Sequence, residues 1–118
     1  MAEYILLLND TKLVGSHKLF RIKSPTGKLG GYIGGSLNLS QEGKCWLHGD
    51  SVAYENAKVS DDAQVYGRVY GDAIIKDRSE VYGQAYGKSV VKDRAKVYGS
   101  ISGEAVADGD AVIYGDLS

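Results

Sequence analysis

The chain is poor in the residues that staple or punctuate most small folds. Its 118 residues include one proline, one cysteine, one tryptophan, one phenylalanine and two histidines. The single cysteine, Cys45, excludes an intrachain disulfide and fits a reducing compartment. Two histidines and one cysteine do not make a metal constellation, and no cofactor is implied. The net charge is -1, so no overall field draws the chain to duplex nucleic acid or an anionic membrane. The longest apolar run near the start, Ile5-Leu6-Leu7-Leu8, is too short for a signal sequence or a membrane span. These absences leave a soluble protein of one domain's length, expected in the cytoplasm.

Glycine and tyrosine are abundant, at 16 and 9 residues. Many glycines with almost no proline point to repeated tight turns, not to a disordered linker. The second half then aligns on itself with a period of sixteen. Residues 57–72, 73–88 and 89–104 read AKVSDDAQVYGRVYGD, AIIKDRSEVYGQAYGK and SVVKDRAKVYGSISGE, and residues 105–118 follow the same pattern as AVADGDAVIYGDLS. Each full block is two hexads plus a four-residue unit that looks like a hexad without its first two positions.

Side chains alternate faces along a strand, so positions 1 and 3 of each hexad share one face. Those columns are small or aliphatic: Ala57/Ala73/Ser89/Ala105, Val59/Ile75/Val91/Ala107, Ala63/Ser79/Ala95/Ala111, Val65/Val81/Val97/Ile113 and Val69/Ala85/Ile101/Leu117. They are the expected inward ladders of stacked coils. Glycines at 67, 83, 99 and 115, and at 71, 87 and 103, are expected to supply corners that need unusual dihedrals. At ~4.8 Å per coil, five coils make a rod of roughly 24 Å. A helix would need apolar residues at i, i+3, i+4 and i+7, whereas the spacing here is i, i+2, i+6 and i+8. An antiparallel hairpin array is the structural alternative.

The A-x-V-Y-G-x hexads resemble the hexapeptide-repeat family, whose members fold as left-handed parallel β-helices. Upstream, Gly30-Gly31-Tyr32-Ile33, Asn38-Leu39-Ser40 and Gly43-Lys44-Cys45-Trp46 resemble a leader that precedes such hexads in small phage and prophage proteins. The resemblance covers about residues 19–118. It implies an all-β, single-stranded parallel β-helix, here with ~16-residue coils in place of three full hexads. The shortened third side predicts a flattened or tapered cross-section. It also implies a bacterial host cytoplasm as the setting.

Two domains' worth of organisation is expected within one compact unit: an N-terminal β cap over residues 1–40 and a solenoid over 41–118. Tyr4–Leu8 and Leu19–Lys23 read as two strands around a turn at Asn9-Asp10-Thr11. The glycine-dense stretch 27–35 lacks G-x-x-x-x-G-K-[ST] and no helix follows it, so a cap is the better reading than a phosphate loop. Solenoid ends need covering, and the C-terminal coil is expected to offer an open edge for end-to-end pairing or a partner.

Catalysis finds little support. Hexapeptide acyltransferases generally use a histidine base, which makes His48 the candidate here. Its place in the hexad pattern is an outward one, commonly Tyr in this chain, and a surface substitution is the expectation. Cys45 has no His or basic partner nearby in sequence and reads as a small buried hydrophobe. Asp61, Asp77 and Asp93 fall at corners, where carboxylates bond turn backbone. No catalytic residue is assigned.

The outward columns carry more information. Ile74, Val90 and Val106 stack on one line, beside Lys58, and an exposed apolar stripe marks an interface. Trimers are common with the fold the resemblance implies, so a homo-oligomer, a trimer, is expected on this stripe. Tyr66, Tyr82, Tyr98 and Tyr114 form one aromatic column, and Tyr54, Tyr70 and Tyr86 a second. Lys76 and Arg78, then Lys92 and Arg94, recur in the Lys-Asp-Arg triplet. Together with Tyr66, Tyr82 and Tyr98 they are the candidate site for a small anionic, nucleotide-like ligand at the subunit seams. Three functions follow: a non-enzymatic phage-type factor that captures such a ligand or a host protein, a structural or assembly module such as a spike, cap or fibre part, and a small acyltransferase.

Overall fold

A computed structural model describes residues 3–118 as a parallel β-solenoid with an N-terminal hairpin. The coils form three sheets of eight, five and four strands. In the eight-stranded sheet, three longer strands, β1 (Ile5–Val14), β2 (His17–Lys23) and β3 (Leu29–Ile33), precede the two-residue strands from Val52–Ala53 to Asp116–Leu117. The five-stranded sheet runs from Trp46–Leu47 to Val112–Ile113, and the four-stranded sheet from Lys58–Val59 to Val106–Ala107. Every pairing between coils is parallel, which disposes of the hairpin array.

The repeat dictates the packing. Each corner turns after the short strand, and inward positions of successive coils stack in register: Val65 on Val81 on Val97, and Ile75 on Val91. These side chains are fully buried, and each contributes ~1.5–3 kcal/mol of burial. Ser79 and Ser89 share the small-residue columns and are buried as well. Ser79 is satisfied by donating to the Lys76 carbonyl at 2.7 Å.

Two corners use left-handed residues, and they differ in kind. Gly71, Gly87 and Gly103 have φ of 68°, 67° and 62°. At the next corner Asp61, Asp77 and Asp93 take φ of 58°, 59° and 58°, which aspartate tolerates better than most residues. Each aspartate then accepts a hydrogen bond from the backbone one coil on: Asp61 from the Asp77 N–H at 3.2 Å, Asp77 from Asp93 at 3.0 Å, and Asp93 from Gly109 at 2.8 Å. The third glycine series departs from expectation. Gly67, Gly83 and Gly99 do not have positive φ. A Cβ on any of them would collide with the carbonyl of the glycine below, so close approach is what requires glycine there.

The truncated side has a visible origin. Trp46 pairs with Gln64, eighteen residues on, whereas Gln64 pairs with Glu80, sixteen on. The extra two residues are Gly49 and Asp50, which make a turn that later coils lack.

The amino-terminal part corrects two expectations. The hairpin turns at Gly15 (φ 59°) and Ser16, with β1 continuous through the Asn9-Asp10-Thr11 segment. That segment is a bulge, where register jumps between Leu7 and Thr11. Asp10 is held there by tertiary partners, the Tyr32 hydroxyl at 3.1 Å and Arg21 at 3.6 Å, which outweigh its local turn preference. Secondly, β3 already pairs in parallel with Val52–Ala53, and Leu39 bridges Val59, so coil geometry begins upstream of residue 41. The Gly-Gly-Tyr-Ile, Asn-Leu-Ser and Gly-Lys-Cys-Trp leader is that first coil. Buried Asn38 locks it, accepting from Gly34 and Gly35 and donating to the carbonyls of Glu55 and Ala57. Tyr4, Ile22 and Trp46 join the solenoid's own core cluster at this end.

Asp77→Ala loses the cross-coil bond and leaves a Cβ in the left-handed region, while Asp77→Gly loses the bond alone. Urea denaturation is expected to place both below the parent, with Ala lower than Gly by ~1 kcal/mol. Gly83→Ala, which meets backbone that cannot shift alone, is expected to fall below both.

Candidate functional site

The outer face of the five-stranded sheet carries three rows. By strand alternation these are Asp62/Arg78/Arg94/Asp110, Gln64/Glu80/Lys96/Val112 and the tyrosines 66, 82, 98 and 114. The tyrosine rings stack nearly parallel with centroids 4.6, 4.7 and 5.3 Å apart. His48 continues the column at its head, 4.4 Å from Tyr66. The second column, Tyr54/Tyr70/Tyr86, stacks at 5.2 and 5.0 Å, with His17 tilted against Tyr54.

The corner divides the expected ligand set. Arg94 and Tyr98 border one shallow depression of about 530 Å³ with Lys96, Val112 and Tyr114. Arg78, Tyr66 and Tyr82 lie on the same face. Lys76 and Lys92 lie across the Asp77/Asp93 corner, two residues along the strand direction from Ile74 and Val90, and so share the stripe's face. Cations on the tyrosine face are also partly spoken for. Arg94 Nε meets Asp110 at 2.9 Å, and Lys96 lies 3.9 Å from Glu80. The Tyr82 hydroxyl donates to Glu80, and that bond, with burial second, raises the phenol's pKa.

On the four-stranded sheet, Ile74, Val90 and Val106 stack in parallel register. Ile74 and Val106 are 38% and 48% exposed, and Val90 is half-buried.

A second feature comes from the junction of hairpin and first coil, where a groove of about 440 Å³ is lined by Lys28, Lys44, Trp46, His48 and Gln64, with Glu3 and the 24–26 turn at its border. Gln64 organises it. Its amide nitrogen donates to the carbonyls of Lys44 at 2.7 Å and Asp62 at 3.1 Å. Its oxygen can then only accept, so the 2.5 Å contact assigns the proton to Nε2 of His48. The Lys28 ammonium sits 5.8 Å from the Trp46 ring centre. Sequence reasoning missed this groove because residues 24–28, 44–48 and 64 meet only through the chain's return. The clustering of Lys44, the one tryptophan and His48 within five residues was the available signal.

Cys45 is fully buried, with its thiol 3.5 Å from the Ser40 carbonyl. Desolvation pushes its pKa from 9.0 up to about 11. Among the described residues, no helix is long and apolar enough to cross a membrane.

Fold and surface together define a parallel β-solenoid with tyrosine and aliphatic rows on its side faces and a groove at its amino-terminal junction. No protein-family model matches the chain, and no curated protein matches it.

The thiol's raised pKa gives a signed expectation. The folded state favours protonated Cys45, so its contribution is complete below the ordinary value near 9 and is lost as pH rises towards 11. Iodoacetamide at pH 8 is expected to leave native protein unlabelled and to label it stoichiometrically in urea. The Cys45→Ala variant is expected to lose less stability than the parent between pH 9 and 11.

Proposed function

We propose that this protein is a non-catalytic assembly module that associates with itself through the four-stranded sheet, three copies around a common axis. The observation that carries this reading is the Ile74/Val90/Val106 row, aliphatic side chains in register on an exposed face. Water gains from covering such a row. Charge supports a head-to-tail arrangement about three-fold symmetry. One flank of the row carries two acids and one base, Asp72, Glu104 and Lys88, and the other two bases and one acid, Lys76, Lys92 and Asp108. Around a three-fold axis, the acidic flank of each copy faces the basic flank of the next. Resemblance to phage leaders supports a setting inside a bacterial host, where a host protein is a further partner class.

A second reading, capture of a small anion, is favoured by the depression that brings Arg94, Lys96, Tyr98 and Tyr114 together. Its ligand would have to compete with Asp110 and Glu80 for those cations. The acyltransferase alternative has less behind it, since His48 is committed to Gln64 and Tyr66, and His17 lies 3.4 Å from Glu55.

Light scattering is expected to give three times the 12.7 kDa chain mass for the parent protein. Val90→Lys is expected to give a single-chain mass with an unchanged far-ultraviolet spectrum. A monomeric parent overturns the assembly. For the second reading, nucleotide-induced rises in Tm are expected to disappear in Arg94→Ala. Acyl-CoA turnover that vanishes in His48→Ala would instead establish an enzyme.

A further inference from the structure

We propose that the groove between the hairpin and the first coil binds a small planar heteroaromatic molecule bearing one anionic group, of the nucleoside monophosphate kind. The site is separate from the four-stranded sheet and does not depend on self-association.

The ring half of the proposal rests on how the tyrosine column ends. Each ring from Tyr66 to Tyr98 has neighbours on both faces, and Tyr66 is covered by His48. His48 lines the groove and Tyr66 does not. The imidazole thus borders the groove, and its second face has no aromatic partner among the described residues. A flat ligand ring placed there continues a stack already running at 4.4–5.3 Å. Gln64 fixes the imidazole in plane and in tautomer, so little ordering is left for the ligand to impose.

The anionic half rests on Lys28 and Lys44. Both line the same groove, and among the described residues neither has a carboxylate within ion-pair distance. Glu3 also borders the groove, so two cations face one carboxylate, a balance suited to a single small anionic head. Trp46 adds a donor. It is 7% exposed, and its indole N–H is buried with no acceptor among the described residues. The volume, about 440 Å³, falls in the range of small-molecule sites.

Trp46 is the chain's one tryptophan, so its fluorescence reports this groove alone. Titration of the intact protein with AMP is expected to give a saturable change. Adenosine and inorganic phosphate, each carrying half the chemistry, are expected to bind at least tenfold more weakly. The double variant Lys28→Gln with Lys44→Gln, and separately His48→Ala, are expected to weaken AMP binding at least tenfold. His48→Phe, which keeps a ring on the stack, restores it, and Lys18→Gln, at an exposed lysine outside the groove, leaves it unchanged. No saturable fluorescence change with AMP, and no heat by calorimetry, overturns the proposal. So does AMP binding that survives the lysine double variant and His48→Ala, or that disappears in Lys18→Gln alone. The masses measured for self-association bear on neither result.

Discussion

Every coil must retrace the path of the one before it, one strand spacing further along the axis. Each edge N–H then finds a carbonyl on its neighbour: Tyr66 N–H donates to Val81 at 2.7 Å, Tyr82 to Val97 at 2.7 Å and Tyr98 to Ile113 at 2.7 Å. Backbone groups left unmatched inside such a stack would each cost ~1–3 kcal/mol, so the chain tolerates little variation in coil length. The sixteen-residue period follows from that requirement. Like then sits upon like, aliphatic on aliphatic inside and tyrosine on tyrosine outside. The corners follow too. Glycine at 67, 83 and 99 lets adjacent coils approach where a Cβ would hold them apart. Aspartate at 61, 77 and 93 bonds the next coil's backbone as it turns.

A repeat of this kind cannot begin itself, because its first coil has no predecessor to pair with. The hairpin solves this by adding β1 and β2 in antiparallel sense to the edge of β3, while β3 pairs in parallel with the coil that follows. Arg21 fastens the two parts. It reaches Asp50 at 2.8 Å in the turn peculiar to the first coil, and stacks its guanidinium 4.5 Å from the Tyr32 ring centre. The Tyr4 hydroxyl donates to the Leu39 carbonyl at 2.5 Å and closes the interior. The junction is the one place where the solenoid's surface is not periodic, and the groove lies there.

Legibility from sequence follows the same division. The inward columns, the apolar stripe, both tyrosine columns and the aspartate corners are periodic, and a residue's role could be read from its position in the repeat. The hairpin turn could not. Asn9-Asp10-Thr11 has better local turn chemistry than Val14-Gly15-Ser16, but Asp10 is claimed by Tyr32 and Arg21, residues distant in sequence. The glycine series at 67, 83 and 99 was placed correctly and explained wrongly, because close approach between coils leaves no mark on one coil's dihedral preferences. The groove was missed for a third reason: two of its walls, residues 24–28 and 44–48, are aperiodic and meet Gln64 only through the chain's return. The division of the Lys-Asp-Arg set by its own corner was readable in principle, since residues i and i+2 across a left-handed residue do not share a face.

The charge rows show where this surface is self-sufficient. Stacking at ~4.8 Å puts equivalent residues beside one another, and two like charges at that distance repel by ~1 kcal/mol in water and ~3.5 kcal/mol at an effective dielectric of 20. Most rows avoid this by changing sign or going neutral, as in Asn56/Asp72/Lys88/Glu104 and Gln64/Glu80/Lys96/Val112. The exceptions are the Asp61/Asp77/Asp93 corner itself and, on its two sides, Lys76 above Lys92 and Arg78 above Arg94. The nearest acids, Asp77 and Asp93, have each given a carboxylate oxygen to the backbone of the next coil. Arg94 finds relief by turning to Asp110, whereas Lys76 and Lys92 have no ion-pair partner among the described residues. A repulsion kept at a solvated corner is small enough for the fold to carry. Beside an apolar row it favours a neighbour that brings carboxylates, and the opposite flank of a second copy brings two, Asp72 and Glu104, against one lysine, Lys88.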